Sequence, residues 1–591
     1  MKVKIITLGI AGLALFLTST TAWAGTEALS PELRQPASAV HNDSRDRTAV
    51  WGDIEVIIQY KVPPTAAHHR KIEALGGALL HQFDAIRAAH YTVPSSALTE
   101  IANDPDVAYV TPNRSLHGML NITTATVHSD IANATYGYTG AGIGVALIDS
   151  GIHDAPDFHQ GPADRVVYRA SFLPPAPPSP PTPPGPPKPP GPPTPPTPPA
   201  PVGDDQYGHG THVAGIIGGN GNGGVYIGIV PHVNLIDLQV LDADGNGTDA
   251  DVIAGIQAAI GLQKQYNIKV MNLSLGRGIF ESYQQDPLCQ EVEAAWQAGI
   301  VVVVAAGNDG RDNSQQTLGY ATITAPGNDP YVITVGAMKS MGTKTRTDDL
   351  IASYSSKGPT LVDHLVKPDI LAPGNMVTSV MPPGLTLSQE YPQNQVPGGY
   401  FTLSGTSMAA PVVSGAAVIL LQQNPALSPD QVKAKLMKTA TKNFPVSSIA
   451  VDPATNIAYT DYYDVFTVGA GYLDIAAALA DTSITNGASW AVGAAQSPAV
   501  TYSSTAGTVA ISALGKNVVW GTNVVWGTNA VWGTNTILPN NVVSATKANV
   551  VWGTSTMQGF NVVWATRANV VWGTSTTTGA EADTVLIQGE P

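Results

Sequence analysis

A single cysteine, Cys289, stands in 591 residues. The chain can therefore form no internal disulfide, and its folding rests on buried apolar surface. Charge is scarce too. Asp, Glu, Lys and Arg make up 12% of the residues, and the formal net charge is −15. An acidic balance of that size argues against nucleic acid or an anionic membrane surface as a partner. Beyond the N-terminus no unbroken apolar run reaches the ~18 residues of a membrane span. The zinc-protease pattern is missing as well. His209 and His212 are spaced i,i+3, no Glu follows His209, and no cysteine lies nearby, so no metal ligand is assigned.

Glycine and proline are abundant, with 59 and 47 residues. A chain of this length implies several domains. Lys2 and Lys4 precede an apolar stretch from Ile5 to Leu17, and Ala22-Trp23-Ala24 places small residues where a signal peptidase needs them. Residues 1–24 thus read as a signal peptide. No membrane span is then expected after its removal, and the product is expected to be secreted, extracellular or associated with the cell surface.

Residues 25–50 are polar and aperiodic, a linker. Within 51–118, strand-like runs lie at Glu55–Tyr60, Ala78–Phe83, Ala88–Val93 and Val107–Val110. Helical patterns lie at Ala66–Leu75, closed by Gly76-Gly77, and at Ser95–Asn103, with Ser95 as its cap. The order βαββαβ predicts a small split-βαβ sandwich. From 119 to 485 short apolar runs (Gly144–Ile148, Leu235–Leu241, Lys269–Leu273, Ile300–Ala305) alternate with helical stretches such as Asp251–Tyr266 and Gln290–Ala298. That alternation predicts an α/β fold, a mainly parallel sheet with helices on both faces. Pro174 to Pro201 consists largely of Pro-Pro-Xaa triplets, an extended polyproline insertion in a surface loop.

Residues 486–591 repeat. The unit Asn517-Val518-Val519-Trp520-Gly521-Thr522 recurs with variations from 523, 529, 541, 549, 561 and 569. Every step is even, so a strand of period two would keep each Trp on one face. A β-rich array is expected there.

Three segments carry the chemistry. Gly144–Ile148 reads as a buried strand with Asp149 at its C-terminal end, the edge where functional groups of open α/β sheets gather. His209 opens a helix after Gly208. Ser407 lies in Gly405-Thr406-Ser407-Met408-Ala409-Ala410-Pro411, where a helix begins at Met408 and Pro411 falls in its first turn. Acid, base and hydroxyl nucleophile are the three roles of nucleophilic acyl transfer. Val301 to Ala305 leads to Asn308, whose side-chain amide suits an oxyanion. Asp242 to Gly247 mimics the start of a calcium loop, but Ile253 occupies the position that requires Glu.

With these motifs in view, the chain resembles the subtilisin-like serine proteases of the subtilase family, over roughly 120–485. The segment 51–118, through Asp104-Pro105-Asp106-Val107-Ala108-Tyr109-Val110, resembles their inhibitory propeptide. The resemblance implies Asp149 as orienting acid, His209 as general base and then acid, and Ser407 as nucleophile. It implies an oxyanion hole from Asn308 and the Ser407 N–H. It also implies a substrate strand on Ser274, Leu275 and Gly276, and a side-chain pocket along Ala305, Ala306 and Gly307. The expected protein is a secreted endopeptidase acting on polypeptides, made as a zymogen whose own propeptide inhibits it and is cut off near 113–122. No cofactor is required for the chemistry. Gly218 to Gly224 carries no carboxylate, so a structural calcium ion is left without a location. The competing readings are a surface adhesive or structural protein carrying an inactive peptidase fold, and an esterase or lipase.

Overall fold

The computed structural model describes residues 53–112, 119–174 and 203–503, apart from 84–86, 223–225, 315–316, 453–454 and 485–489, together with 28–29, 33, 508–512, 550–551 and 589–590. The signal segment, most of the linker, residues 113–118, nearly all of the proline-rich insertion and almost all of the tryptophan repeats lie outside these residues. The chain divides into two units, Met1–Leu116 and His117–Pro591.

In the first unit the strands are β1 (Asp53–Tyr60), β2 (Ala78–Phe83), β3 (Ala88–Pro94) and β4 (Val107–Pro112), with helices α1 (Ala66–Ala74) and α2 (Leu98–Ala102). The antiparallel sheet runs β2-β3-β1-β4. Alternation along β1 buries Val56, Ile58 and Tyr60, which pack with Ile72, Tyr91, Ile101 and Val110. The expected Ser95 cap is not formed. Residues 95–97 make a short 3-10 turn after Pro94 with no side-chain cap, because Ser95 already lies inside the turn.

The second unit is built on an eight-stranded sheet. Its strands are β5 (Gly144–Asp149), β6 (Val166–Ser171), β7 (Asn234–Gln239), β8 (Ile268–Leu273), β9 (Val301–Ala305), β10 (Ile333–Lys339), β11 (Leu350–Ile351) and β12 (Ile370–Pro373). The order is β11-β10-β9-β8-β5-β7-β6, with β12 also on β10. All pairs are parallel except β10 with β11. Every residue of β5, β9 and β10 is buried. That is why these strands read as continuous apolar runs rather than alternating ones.

Two helix pairs cover the sheet. Helices α3 (His209–Gly218) and α6 (Thr406–Gln423) pack on each other, as do α4 (Asp249–Tyr266) and α5 (Pro287–Gln297). Helix α6 is long and apolar enough to cross a membrane by composition, but it is the core helix of this unit. Asp242 closes its loop by accepting the N–H groups of Asp244 and Asn246, each at 2.9 Å. The carbonyls of Asp157, Gly218 and Val233, beside the glycine-rich stretch, accept from the buried guanidinium of Arg165.

Candidate active site

Strand register lines up one edge of the sheet. Leu273 on β8 pairs with Ile148 on β5 and with Val304 on β9. The next residues in each strand, Asp149, Ser274 and Ala305, are therefore level at the C-terminal edge. This edge adjoins the point where the chain, having laid β7 and β6 on one side of β5, crosses to β8 on the other. Such crossover points are where open α/β sheets place their sites.

Helix α3 starts with His209 at this edge. His209 Nδ1 lies 2.7 Å from Asp149 Oδ1, and the same oxygen accepts the N–H of Ser150 at 2.8 Å. Burial pulls the imidazole pKa down. The charge and hydrogen bond of Asp149, with the charge of Asp205 behind it, push it up, and the balance lies above the ordinary histidine value. The helix can approach this closely because of Gly210. A Cβ there would sit 2.2 Å from the carbonyl oxygen of Gly151.

His212, one turn along, faces the interior. Its Nε2 lies 3.1 Å from the Val377 carbonyl and 3.0 Å from that of Phe401. Burial pushes its pKa down to about 3, so it is neutral and donates from Nε2. The pair spaced i,i+3 does not converge on one ion.

Ser407 is the second residue of α6, since the helix begins at Thr406 rather than Met408. Its N–H is among the first four of the helix, which have no intrahelical acceptor. Pro411 is consequently the sixth residue and not in the first turn. It has no N–H to give the Ser407 carbonyl four residues back. Ser274 Oγ supplies that bond instead, at 2.9 Å. Ser407 Oγ in turn donates to the Ser274 carbonyl at 3.1 Å.

Asn308 follows β9. Its Oδ1 accepts the N–H of Thr406 at 2.9 Å and lies 3.1 Å from Thr406 Oγ1. Asn308 Oδ1 is thus committed to the head of α6.

The remaining sequence-predicted residues flank this group. Ser274, Leu275 and Gly276 run on past Leu273, the last paired residue of β8. Ala305 and Ala306 are buried. The N–H of Ala306 donates to Val335, and its carbonyl accepts from Thr324. The N–H of Gly307 donates to Thr406 Oγ1 at 3.1 Å.

Two contributors escaped the sequence reading. Asp205, fully buried, accepts from Ser150 Oγ, the N–H of Gly208, and the N–H and Oγ1 of Thr211. It thereby ties the Asp149 and His209 segments together. Only its position four residues before His209 could have drawn attention to it. Thr406, the clamp on Asn308, was hidden in plain view beside Ser407.

A model of the subtilase family matches residues 140–456. The chain is similar to serine protease AprX of Bacillus subtilis (strain 168), 36% identical over 379 residues, covering 61% of this chain and 76% of the relative. Subtilisin E of the same strain is 33% identical over 379 residues, covering 63% of this chain and 80% of its own. An extracellular serine proteinase of Thermus sp. (strain Rt41A) is 32% identical over 369 residues, covering 61% and 72%.

Proposed function

Because the chain belongs to the subtilase family of subtilisin-like serine proteases, we propose that it hydrolyses peptide bonds through an acyl-enzyme, with Asp149, His209 and Ser407 as its triad. The observation that carries the reading is the 2.7 Å contact between His209 Nδ1 and Asp149 Oδ1, at the edge where the helix bearing Ser407 packs on the helix bearing His209.

In the resting site Ser407 Oγ donates to Ser274. A bound substrate strand along Ser274, Leu275 and Gly276 competes for that carbonyl, and the hydroxyl turns toward His209 Nε2. Oγ then forms a bond to the scissile carbonyl carbon, and its proton passes to Nε2. Asp149 stabilises the imidazolium and holds its tautomer. The oxygen that gains the electron pair is held by Asn308 Nδ2 and the Ser407 N–H, where the helix N-terminus adds a favourable field. Collapse breaks the C–N bond, and His209 returns the proton to the leaving amine. Water repeats the cycle on the ester. The chain supplies every group this requires, with no cofactor.

The signal-like N-terminus supports export. The compact βαββαβ unit ahead of the catalytic unit supports a zymogen in which 51–118 inhibits until cut away. Both readings meet in one experiment. Ser407→Ala should abolish hydrolysis of unfolded casein and labelling by a serine-directed phosphonate, and leave 51–118 attached in the secreted product. Normal processing and activity in that variant would refute the mechanism.

A further inference from the structure

After the repeat region the chain returns to the catalytic unit, and its return is specific. Glu590 is 3% exposed. One carboxylate oxygen, Oε1, lies 2.8 Å from Arg311 Nη2 and accepts the Ser353 N–H at 2.9 Å and the Ser353 hydroxyl. The other, Oε2, lies 3.1 Å from Lys339 Nζ. Asn375 grips the Glu590 backbone at two points. Its Oδ1 accepts the N–H and its Nδ2 donates to the carbonyl, each at 2.8 Å. Gly589 has φ +68°, and a Cβ there would meet Met376 Sδ at 2.4 Å and Ser404 Oγ at 2.8 Å.

These are the marks of a recognition site. Two cations and a backbone N–H select a carboxylate, the Asn375 pair reads the main chain, and the tight floor selects glycine one residue earlier. Emptying the pocket would take this anion from the buried Lys339 ammonium, while Arg311 would keep Asp452, whose Oδ2 lies 2.8 Å from Nη1. Its floor also leads to the nucleophile. The Met376 N–H donates to Ser404 Oγ and the Gly405 N–H to the Gly374 carbonyl, each at 2.8 Å, and Gly405 stands two residues before Ser407.

We propose that the pocket formed by Arg311, Lys339, Ser353 and Asn375 is a binding site for the chain's own segment Gly589-Glu590, and that its occupancy by that segment steadies the turn feeding Ser407. The tail is an intramolecular ligand that tethers the far end of the repeat region to the catalytic unit. The chemistry recognised is an unbranched Gly-Glu segment.

The test uses a fluorescein-labelled peptide of residues 581–591 and the Ser407→Ala chain, so that the probe stays whole, followed by anisotropy. The Ser407→Ala chain ending at residue 588 should bind the peptide saturably. Glu590→Gln in the peptide should weaken binding about a hundredfold, the usual cost of truncating one partner of a buried charge pair. Gly589→Val in the peptide should bind no better. The chain with its own tail should bind little, its pocket being filled. Equal binding by tailed and tailless chains, or of the unaltered and Glu590→Gln peptides, overturns the proposal. Should the shortened chain fail to fold, Glu590→Gln in the full Ser407→Ala chain decides. Amide exchange at Met376 and Gly405 should quicken about tenfold as an ordinary local opening would allow, while the strand Val301–Ala305 keeps its rate. Unchanged exchange at both amides overturns the proposal equally.

Discussion

Asp149 uses its two oxygens unequally. Oδ1 holds Ser150 and His209, while Oδ2 is buried with no hydrogen-bond partner among the described residues. Burial pulls the His209 pKa down, but the charge and hydrogen bond of Asp149 outweigh it and hold the imidazole above its ordinary value. The base works only when neutral, so activity is present above that pKa and is lost as pH falls through it. The acid limb of kcat/KM should therefore sit above the ordinary histidine value of about 6.5. Asp149→Asn should move the limb toward lower pH and cut kcat by about 10⁴, as a wrong imidazole tautomer does in a Ser-His-Asp triad. A pH–rate profile of both proteins checks this, and an unmoved limb would assign the titration elsewhere. Asp149, His209 and Ser407 were singled out in the sequence by three short segments taken together, each weak by itself. Asp205 was not, since its partners Ser150, Gly208 and Thr211 are gathered only by folding.

The first turn of α6 shows what an element adds to its residues. Thr406, Ser407 and Pro411 act together. Pro411 frees a carbonyl for Ser274, and Thr406 turns the amide of Asn308. In a subtilisin the loss of an oxyanion-hole donor costs about 10²–10³ in turnover, and Asn308→Ala should fall in that range. Thr406→Val keeps the shape and the backbone N–H bond but removes the hydroxyl. It should lower kcat about tenfold, the worth of roughly one hydrogen bond, with KM unchanged. Steady-state kinetics on a chromogenic peptide separates this from general damage, which would move both constants.

The strands were legible because burial on both faces makes them uniformly apolar, and the alternation with helices implied the parallel sheet. Helix ends were less so. Small residues such as those of 405–411 suit a loop and a buried helix alike, and packing of α6 against β8, β9 and β10 decided in favour of an earlier start. The direction of the His212 ring was likewise set by carbonyls on Val377 and Phe401, far away in sequence.

At the scale of the whole catalytic unit, distant chain segments are pinned by buried charge. Lys367 and Lys433 are both fully buried around Asp369, with Nζ atoms 2.7 and 3.2 Å from its two oxygens. Ser497 Oγ donates to the same carboxylate at 2.6 Å, and the Thr334 N–H at 2.9 Å. Carbonyls of Pro330 and Val332 accept further hydrogen bonds from the ammonium of Lys433. Burial pulls Asp369 up, but the two ammonium charges outweigh it and hold its carboxyl below the usual range. Burial pushes Lys433 down to about 8.

The cluster joins the segment leading into β12, the helix Pro429–Thr439 and the segment around 497, and no local pattern marks its members. Asp369→Asn would leave two buried ammonium groups without their anion. It should cost about 3–5 kcal/mol, the penalty of a broken buried pair rather than the worth of an intact one. Removing one cation as well, in Asp369→Asn with Lys433→Met, should recover much of that loss, because the uncompensated charge is the source of the penalty. Urea unfolding in a Ser407→Ala background, which removes self-digestion from the measurement, provides both values. A double variant no more stable than the single would mean that the hydrogen bonds around Asp369, and not the charges, hold these segments together.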